Sequence, residues 1–141
     1  MRGGEDPDNR RDFPGGFPDD ERNAFEKSGR TPEEQRMYEW TRDLLRLRRE
    51  HASLRRGALL DLSFDADSYA YARRHEGETL VVAFNRSAAP KEMTVPASYL
   101  GARDGARLEP LLAAADRPAV AGGALKLTVP ARAAVVYRLA G

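Results

Sequence analysis

The hydrophobic pattern of this chain changes once, near Gly57, from a helical period to a strand period. Between residues 31 and 50, apolar side chains recur every three or four positions, which is typical of an amphipathic helix. After residue 57, short apolar runs alternate with polar residues or are broken by turn residues, which is typical of strands. The sequence therefore predicts one long helix followed by a domain made mainly of β-strands.

The start of the helix is marked by the run T-P-E-E at residues 31–34. Threonine can cap a helix, proline fits the first helical position, and a glutamate three residues after the cap completes a capping box. The end is marked by arginines at positions 46, 48 and 49, because positive charge is favourable in the last turn of a helix. We therefore expect the helix to end near His51 or Ala52.

The apolar side chains of this helix cover a wide arc, which indicates contacts on two sides. Its members are Met37, Tyr38, Trp40, Leu44, Leu45 and Leu47. Trp40 could stack on a sugar ring, but its place on the arc favours a packing role.

Short runs downstream of the helix are predicted to be strands, at residues 58–64, 68–76, 79–85, 92–95, 108–112, 125–129 and 133–139. The third run, T-L-V-V-A-F-N, is mostly apolar, which predicts burial on both faces. The last two runs are expected to form a hairpin around Pro130. Short strands divided by turn signals predict an antiparallel Greek-key β-sandwich, preceded by a loop and the one long amphipathic α-helix.

Composition removes several classes of function. The 141 residues carry a net charge of +1 without a basic cluster, which does not favour nucleic acid as a partner. There is no cysteine, and His51 and His75 lack neighbours at metal-ligand spacing, so neither a metal site nor a cofactor is predicted. No apolar run approaches the roughly 20 residues of a membrane helix, so no membrane partner is predicted.

A loop rich in glycine and proline precedes the helix, from residue 3 to residue 17. Asp6 and Arg10 stand four positions apart in it, and a carboxylate beside a guanidinium can grip vicinal hydroxyls by accepting and donating hydrogen bonds. Phe13 and Phe17 could add stacking on a sugar ring. On the residues alone, a structural loop with surface ion pairs explains the same pattern and is favoured.

Several stretches, taken together, resemble one enzyme family. The run G-G-E-D-P-D-N-R at 3–10 resembles the segment that follows the eighth barrel strand in α-amylase family glycoside hydrolases, in particular the cyclomaltodextrinase, neopullulanase and maltogenic amylase group. The runs R-R-D-F-P-G-G-F-P at 10–18, R-N-A-F at 22–25 and H-A-S-L-R-R-G at 51–57 are similar to one branch of that group. The resemblance covers the whole chain, as the tail of a longer enzyme.

The resemblance divides the chain into a loop segment at 1–30, the last barrel helix at 31–52 and a C-terminal β-sandwich domain at 58–141. Retaining glycoside hydrolysis needs two carboxyl groups about 5–5.5 Å apart across the scissile bond. In this family the nucleophile, the acid/base and a third carboxylate come from earlier barrel strands, which implies that no catalytic residue lies in this chain. The expected function is that of a C-terminal fragment of an α-glucan hydrolase acting on α-1,4-glucosidic bonds, inactive by itself.

The resemblance also assigns roles to two loop residues. In the resembling enzymes, the residues at the motif positions of Asp6 and Arg10 line glucose subsites on the non-reducing side. Asp6 would accept hydrogen bonds from sugar hydroxyls, and Arg10 would donate them. We therefore expect an α-glucan or cyclodextrin as ligand, bound weakly without the opposite wall of the cleft, because ordering and desolvation consume most of the gain.

Two other functions stay open from the sequence. A stand-alone carbohydrate-binding module would need an exposed aromatic platform, for which Tyr69, Tyr71 and Tyr99 are the candidates. A structural or oligomerisation domain would need no ligand. The compartment is left open.

The missing catalytic barrel leads to a prediction about assembly. Without the barrel, part of the helix arc would face water, and exposed apolar patches of that size usually bind a partner. We therefore expect a two-fold homodimer through the helix at 31–50. The side chains expected to face water are Met37, Trp40, Leu44 and Leu47.

Overall fold

The computed structural model describes residues 4–6, 12–114 and 116–140. The chain divides into two units, Met1–Arg46 and Leu47–Gly141. The first unit contains a short 3-10 helix, Lys27–Gly29, and most of helix α1, Pro32–Glu50. The second unit begins with the last turn of α1 and contains all the β-strands that the structure describes.

The predicted capping box at the start of α1 is confirmed. The backbone N–H of Glu34 donates to Thr31 Oγ1 at 3.2 Å, and the Glu34 carboxylate accepts the backbone N–H of Thr31 at 2.9 Å. The two terminal nitrogens of the Arg22 guanidinium also donate to Glu34, at 2.6 and 2.8 Å. The hydrogen bonds from Arg22, together with those from Thr31, lower the pKa of Glu34 to about 2.

The second unit follows α1 with a short helix and a series of strands. Helix α2 spans Ala52–Arg56, and a third helix, α3, spans Ala97–Leu100. The strands are β1 (Ala58–Phe64), β2 (Ser68–His75), β3 (Glu78–Asn85), β4 (Lys91–Pro96), β5 (Leu108–Leu112), β6 (Val120–Ala121), β7 (Ala124–Val129) and β8 (Ala133–Leu139).

The strands form two antiparallel sheets, so the predicted β-sandwich is confirmed. The five-stranded sheet has the order β1-β2-β3-β8-β5, and the three-stranded sheet has the order β4-β7-β6. Strand β8 therefore lies between β3 and β5, which precede it in the chain, and the chain crosses between the sheets more than once. Strand β3 is buried along most of its length, as its apolar run predicted, except at Phe84.

The core lies between the two sheets because each sheet turns one apolar face inward. On β7, Leu125, Leu127 and Val129 are fully buried, whereas the residues between them are exposed. From the other sheet, Val81 and Tyr137 reach the same core. The alternation of side chains along a strand places every second residue on this inner face.

A smaller cluster covers part of the outer face of the five-stranded sheet. Leu47, at the end of α1, packs with Val82 and Val136. The expectation that Leu47 faces water is therefore wrong, because the sheet supplies its apolar partners. The other members of the stripe do face solvent: Met37 is 66% exposed, Trp40 37% and Leu44 39%.

The predicted hairpin between the last two strands is wrong. Strand β7 pairs with β4 and β6, whereas β8 pairs with β3 and β5. The chain crosses from one sheet to the other at Pro130, and the buried side chain of Asn85 donates to the carbonyl oxygens of Val129 and Pro130 at 3.3 and 3.1 Å. The sequence also gave no prediction of α2, α3 or the short strand β6.

Among the described residues, no helix combines the length and the apolar character that crossing a lipid bilayer would require.

Leu127→Ala tests the core between the sheets. Because Leu127 is fully buried, we expect the free energy of unfolding to fall by about 2–5 kcal/mol, from lost burial and the cavity left behind. Urea unfolding followed by circular dichroism measures the change. The matched control is Leu59→Ala, whose side chain is 53% exposed and whose effect should stay within about 0.5 kcal/mol. Equal losses in the two variants would contradict this location of the core.

Candidate functional site

The structure describes one member of the predicted Asp6–Arg10 pair. Asp6 lies in a turn and is exposed, where its carboxylate can accept hydrogen bonds from a ligand. Arg10 lies outside the described residues. The pairing of the two groups and their role in a glucose subsite therefore stay predictions.

The two predicted stacking residues lie on the surface of the loop before α1. Phe13 is 59% exposed and packs on Phe25, with ring centroids 4.8 Å apart and an angle of 55° between the rings. Phe17 is 67% exposed. Phe25, which was not among the predicted site residues, is exposed as well. The loop therefore presents three phenyl rings, and such rings can stack on the C–H face of a sugar.

Hydrogen bonds within the loop hold these rings in place. The Asp20 carboxylate accepts the backbone N–H groups of Gly15 and Phe17, each at 3.0 Å. Gly15 has a φ of +112°, and a Cβ at this position would collide with Asn23, so the turn requires glycine. The backbone N–H of Ala24 donates to the carbonyl of Pro14 at 2.8 Å, which closes the loop.

Arg30 connects the loop to the first turns of α1. Its guanidinium donates to the carbonyl oxygens of Ala24 and Phe25, both at 2.7 Å. The same group lies over the ring of Tyr38, 3.7 Å from the centroid, in a cation–π contact. The segment that carries Phe25 is thus fixed by a side chain that immediately precedes the helix.

A second polar cluster, formed by His51, Ser53 and Glu78, lies where α1 meets α2. One oxygen of Glu78 is 2.6 Å from His51 Nδ1, and the other accepts the Ser53 hydroxyl at 2.5 Å. Ser53 is fully buried. Its hydroxyl is bonded to the carboxylate and not to the imidazole, so the cluster lacks the hydrogen bond that would activate a serine nucleophile. The cluster instead attaches the start of α2 to the start of β3, because Glu78 is the first residue of β3 and bonds to His51 and Ser53.

The electrostatics of this cluster favour an ionised carboxylate. Burial raises the pKa of Glu78, but the hydrogen bonds from Ser53 and His51 lower it by more, so the pKa lies below its ordinary value. Sequence reasoning missed the cluster because His51 and Ser53 meet Glu78 only through the fold. In the sequence, the run H-A-S-L-R-R-G at 51–57 carries a family resemblance but no local signal of this contact.

The tyrosines considered as a platform do not all belong to one surface element. Tyr69 and Tyr71 share one face of β2, with ring centroids 5.3 Å apart. Tyr99 lies on α3 and is 55% exposed. Within residues 4–6, 12–114 and 116–140, no group of three histidine or carboxylate side chains could hold a metal ion.

Comparison with known proteins identifies the family. The family model described as "Maltogenic Amylase, C-terminal domain" matches residues 62–136. This chain belongs to that family, a class of β-sandwich domain found at the C-terminal side of α-amylase family glycoside hydrolases. The match covers β2–β7 in full, the last three residues of β1 and the first four residues of β8.

Solved structures agree with this placement. An α-amylase from Geobacillus thermoleovorans, solved in complex with acarbose, shares the fold with a TM-score of 0.77 at 24% identity, over 100% of this chain and 27% of that chain. An Anoxybacillus α-amylase matches with a TM-score of 0.76 at 28% identity, over 99% of this chain and 26% of that chain. A mutant of the trehalulose synthase MutB, in complex with sucrose, is 31% identical over 73% of this chain and 18% of that chain, with a TM-score of 0.57. The chain thus spans about a quarter of the length of the two α-amylases.

Glu78→Ala tests the cluster at the α1–α2 junction. At pH 7 we expect the free energy of unfolding to fall by about 1–3 kcal/mol, because the buried Ser53 hydroxyl loses its acceptor. The stabilisation by Glu78 should be complete above the unfolded-state pKa of about 4.3 and be lost as the pH falls through the lower folded-state pKa. The difference between wild type and variant should therefore shrink below about pH 4.

Urea unfolding at a series of pH values measures this difference. The control is Glu92→Ala, because Glu92 is an exposed carboxylate that pairs at the surface with Lys126, at 3.5 Å. Its effect should be small at every pH. A cost of Glu78→Ala that stays constant from pH 7 to acid would show that the carboxylate charge does not contribute.

Proposed function

We propose that this chain acts as the C-terminal part of a cyclomaltodextrinase-like α-glucan hydrolase, of the cyclomaltodextrinase, neopullulanase and maltogenic amylase group. The observation that carries the proposal is the maltogenic amylase family match across the sandwich. The long helix that leads into the sandwich, with its exposed apolar stripe, supports it further. In this proposal, residues 1–30 are the loop after the last barrel strand, 31–52 the last barrel helix and 58–141 the C-terminal domain.

The described carboxyl groups whose pKa is clearly shifted differ from the general acid of a glycosidase. A retaining glycosidase needs a carboxylic acid whose pKa is raised, so that it arrives protonated. Among the carboxyl groups that the structure describes, those with a clear pKa shift are shifted downward: Glu34, Asp65, Glu78 and Glu109. Each accepts a hydrogen bond from a cationic side chain or from a hydroxyl. Such groups are poor general acids.

The proposed contribution to the substrate site is the loop before α1. Asp6 would accept hydrogen bonds from glucose hydroxyls, and Arg10 would donate to them. The exposed rings of Phe13 and Phe17 support a sugar-facing surface, and the Asp20 contacts support a fixed loop. The acarbose complex of the Geobacillus relative supports a carbohydrate as ligand class. In the full enzyme the chain would help to position substrate while the barrel performs the chemistry.

An NMR titration with maltotriose and β-cyclodextrin, with glucose release assayed on the same samples, tests this role. We expect shifts at Asp6, Arg10, Phe13 and Phe17, weak binding and no glucose release. Asp6→Asn should weaken the response because it removes the charged acceptor. Asp19→Asn, a change of the same type in the same loop, is the control and should leave the response unchanged. Glucose release by the chain would overturn the absence of catalysis, and a loop without shifts would overturn the subsite.

The exposed stripe of α1 supports a second part of the proposal, a homodimer through this helix. The stripe contains Met37, Trp40 and Leu44, and its exposure to solvent favours association with an apolar partner. An identical stripe on a second copy gives a self-complementary two-fold contact.

Sedimentation equilibrium of wild type and two variants tests the dimer. Met37→Glu places a charge in the stripe and should shift the equilibrium towards monomer by at least about tenfold, since burying an unpaired charge is costly. Arg42→Gln makes the same change in net charge but lies near the opposite side of the helix, so it should dimerise like wild type. A wild-type monomer at high concentration would contradict the proposal.

A further inference from the structure

A row of aromatic side chains crosses the outer face of the five-stranded sheet. Phe64 on β1 pairs in register with Tyr69 on β2, and Tyr69 pairs in register with Phe84 on β3. Their strand neighbours Ala70 and Ala83 point into the core, so the three rings lie on the side that faces away from the core. We call Phe64, Tyr69 and Phe84 the outer aromatic row.

The rings of this row are accessible and inclined to each other. Phe64 is 78% exposed and Phe84 is 40% exposed. The rings of Tyr69 and Phe84 have centroids 5.5 Å apart and meet at 80°, and Tyr71 extends the row at 33° to Tyr69. The surface is therefore angled. A flat platform would suit an extended β-linked glucan, whereas angled rings suit the curved path that α-1,4 linkages impose on a chain of glucose units.

Polar side chains border the row on two sides. The Tyr69 hydroxyl donates to the Asp61 carboxylate, and Asp61 is exposed. Arg86, two positions beyond Phe84, bonds through Nε to Asp67 Oδ1 at 3.0 Å and keeps a side chain that is 76% exposed. A carboxylate can accept more than one hydrogen bond, and a guanidinium carries five donors. The row thus combines ring faces with acceptors and donors, the groups that a sugar needs for its C–H face and its hydroxyls.

The covered part of the same sheet face has a different composition. There, Leu47 and Leu54 pack on the aliphatic residues Val82 and Val136. Tyr71 packs against that aliphatic cluster, whereas Phe64, Tyr69 and Phe84 are not members of it. These three rings lie beside the charged groups of Asp61 and Arg86 instead. The row is also narrow, whereas a standard protein interface uses roughly 20–30 residues on each side. These features favour a small polar chain over a protein surface as the occupant.

We propose that the outer aromatic row, with Asp61 and Arg86, is a binding site for an α-linked glucan chain. It would be a second contact, on the sandwich, separate from the contact proposed for Asp6 and Arg10. The choice of an α-glucan rests on the proposed function, but the site does not require catalysis or the catalytic barrel. Tyr69 and Phe84 would stack on glucose units, Phe64 would extend the stacking surface, and Asp61 and Arg86 would bond the hydroxyls at its edges.

Titration of the labelled full chain with maltoheptaose, followed by NMR, tests the site. We expect shifts at Phe64, Tyr69, Phe84 and Asp61, and smaller or no shifts there with cellohexaose, the β-linked control. A variant with both Phe64→Ala and Phe84→Ala should raise the dissociation constant at these resonances at least tenfold. Tyr99→Ala removes a ring from α3 that is 55% exposed, between the values of Phe84 and Phe64, and should leave the constant unchanged. Circular dichroism spectra and Tm values verify that each variant folds. The single variant Phe64→Ala changes a largely exposed side chain, so its dissociation constant can be measured even if the double variant does not fold.

Other outcomes would overturn the site. Absence of shifts on the row at about 10 mM maltoheptaose would do so, because a millimolar site would be largely occupied there. Equal shifts with cellohexaose, or an equal loss with Tyr99→Ala, would indicate unspecific sugar contact. If the resonances of the row broaden as the protein concentration rises, and Phe64→Ala abolishes this broadening, the occupant of the row is a protein. Shifts at the row without shifts at residues 4–6 and 12–17 would leave this site standing while the proposed subsite loop fails.

Discussion

The chain passes from one sheet to the other after β3 and again after β7. Both of these crossings depend on one buried side-chain amide, that of Asn85. Its Nδ2 group donates to the carbonyl oxygens of Ala89, Val129 and Pro130, and its Oδ1 accepts the N–H of Ser87. Ala89 and Ser87 belong to the crossing after β3, and Val129 and Pro130 belong to the crossing after β7. A strand that leaves its sheet at a buried position exposes backbone groups that the ladder no longer satisfies, and each such group costs free energy. Because Asn85 is only 2% exposed and meets these groups, the sandwich can close over an otherwise apolar core.

Residues 47–56, within the second unit, are attached to the sandwich by an apolar and a polar contact. Leu47 packs on Val82 and Val136. This hydrophobic contact has no preferred direction, so by itself it does not fix the position of Leu47 along the sheet. Glu78 adds direction, because its two oxygens hold His51 and Ser53 at fixed distances. Glu78 follows the tight turn at Glu76 and Gly77, where both residues have positive φ, so the carboxylate leaves the turn in a defined position. His51 and Ser53, at the start of α2, are therefore held by hydrogen bonds to an ionised carboxylate.

The sequence predicted those features whose causes are local. The capping box of Thr31 and Glu34 needs only four residues, and the alternation in β2 and β7 needs only the strand itself, so these elements were found. The pairing of β7 was missed because a turn residue such as Pro130 is compatible with a hairpin and with a crossing. The distinction depends on Asn85, more than forty residues earlier. Helix α2 was missed for the same reason, since its fixing partner Glu78 is distant in sequence. Of the candidate site, the exposure of Phe13 and Phe17 agrees with a surface role, whereas the contact of Phe13 with Phe25 required the folded loop.

The pKa values of the carboxyl groups connect these structural features to the proposed role. Glu34 caps a helix, Glu78 orients the α1–α2 junction and Glu109 pairs with Arg138, and in each case the fold uses the charged form, which holds the pKa low. A glycosidase acid needs the opposite environment, a carboxyl group that loses hydrogen-bond donors and gains apolar neighbours. A carboxylate oxygen is also a good hydrogen-bond acceptor for a hydroxyl group, and a sugar carries no net charge. Binding by Asp61 would therefore depend on geometry next to Tyr69 more than on net charge, which is near zero for this chain. In the proposed site, the part of Asp61 would therefore be to hold a sugar hydroxyl beside the ring of Tyr69.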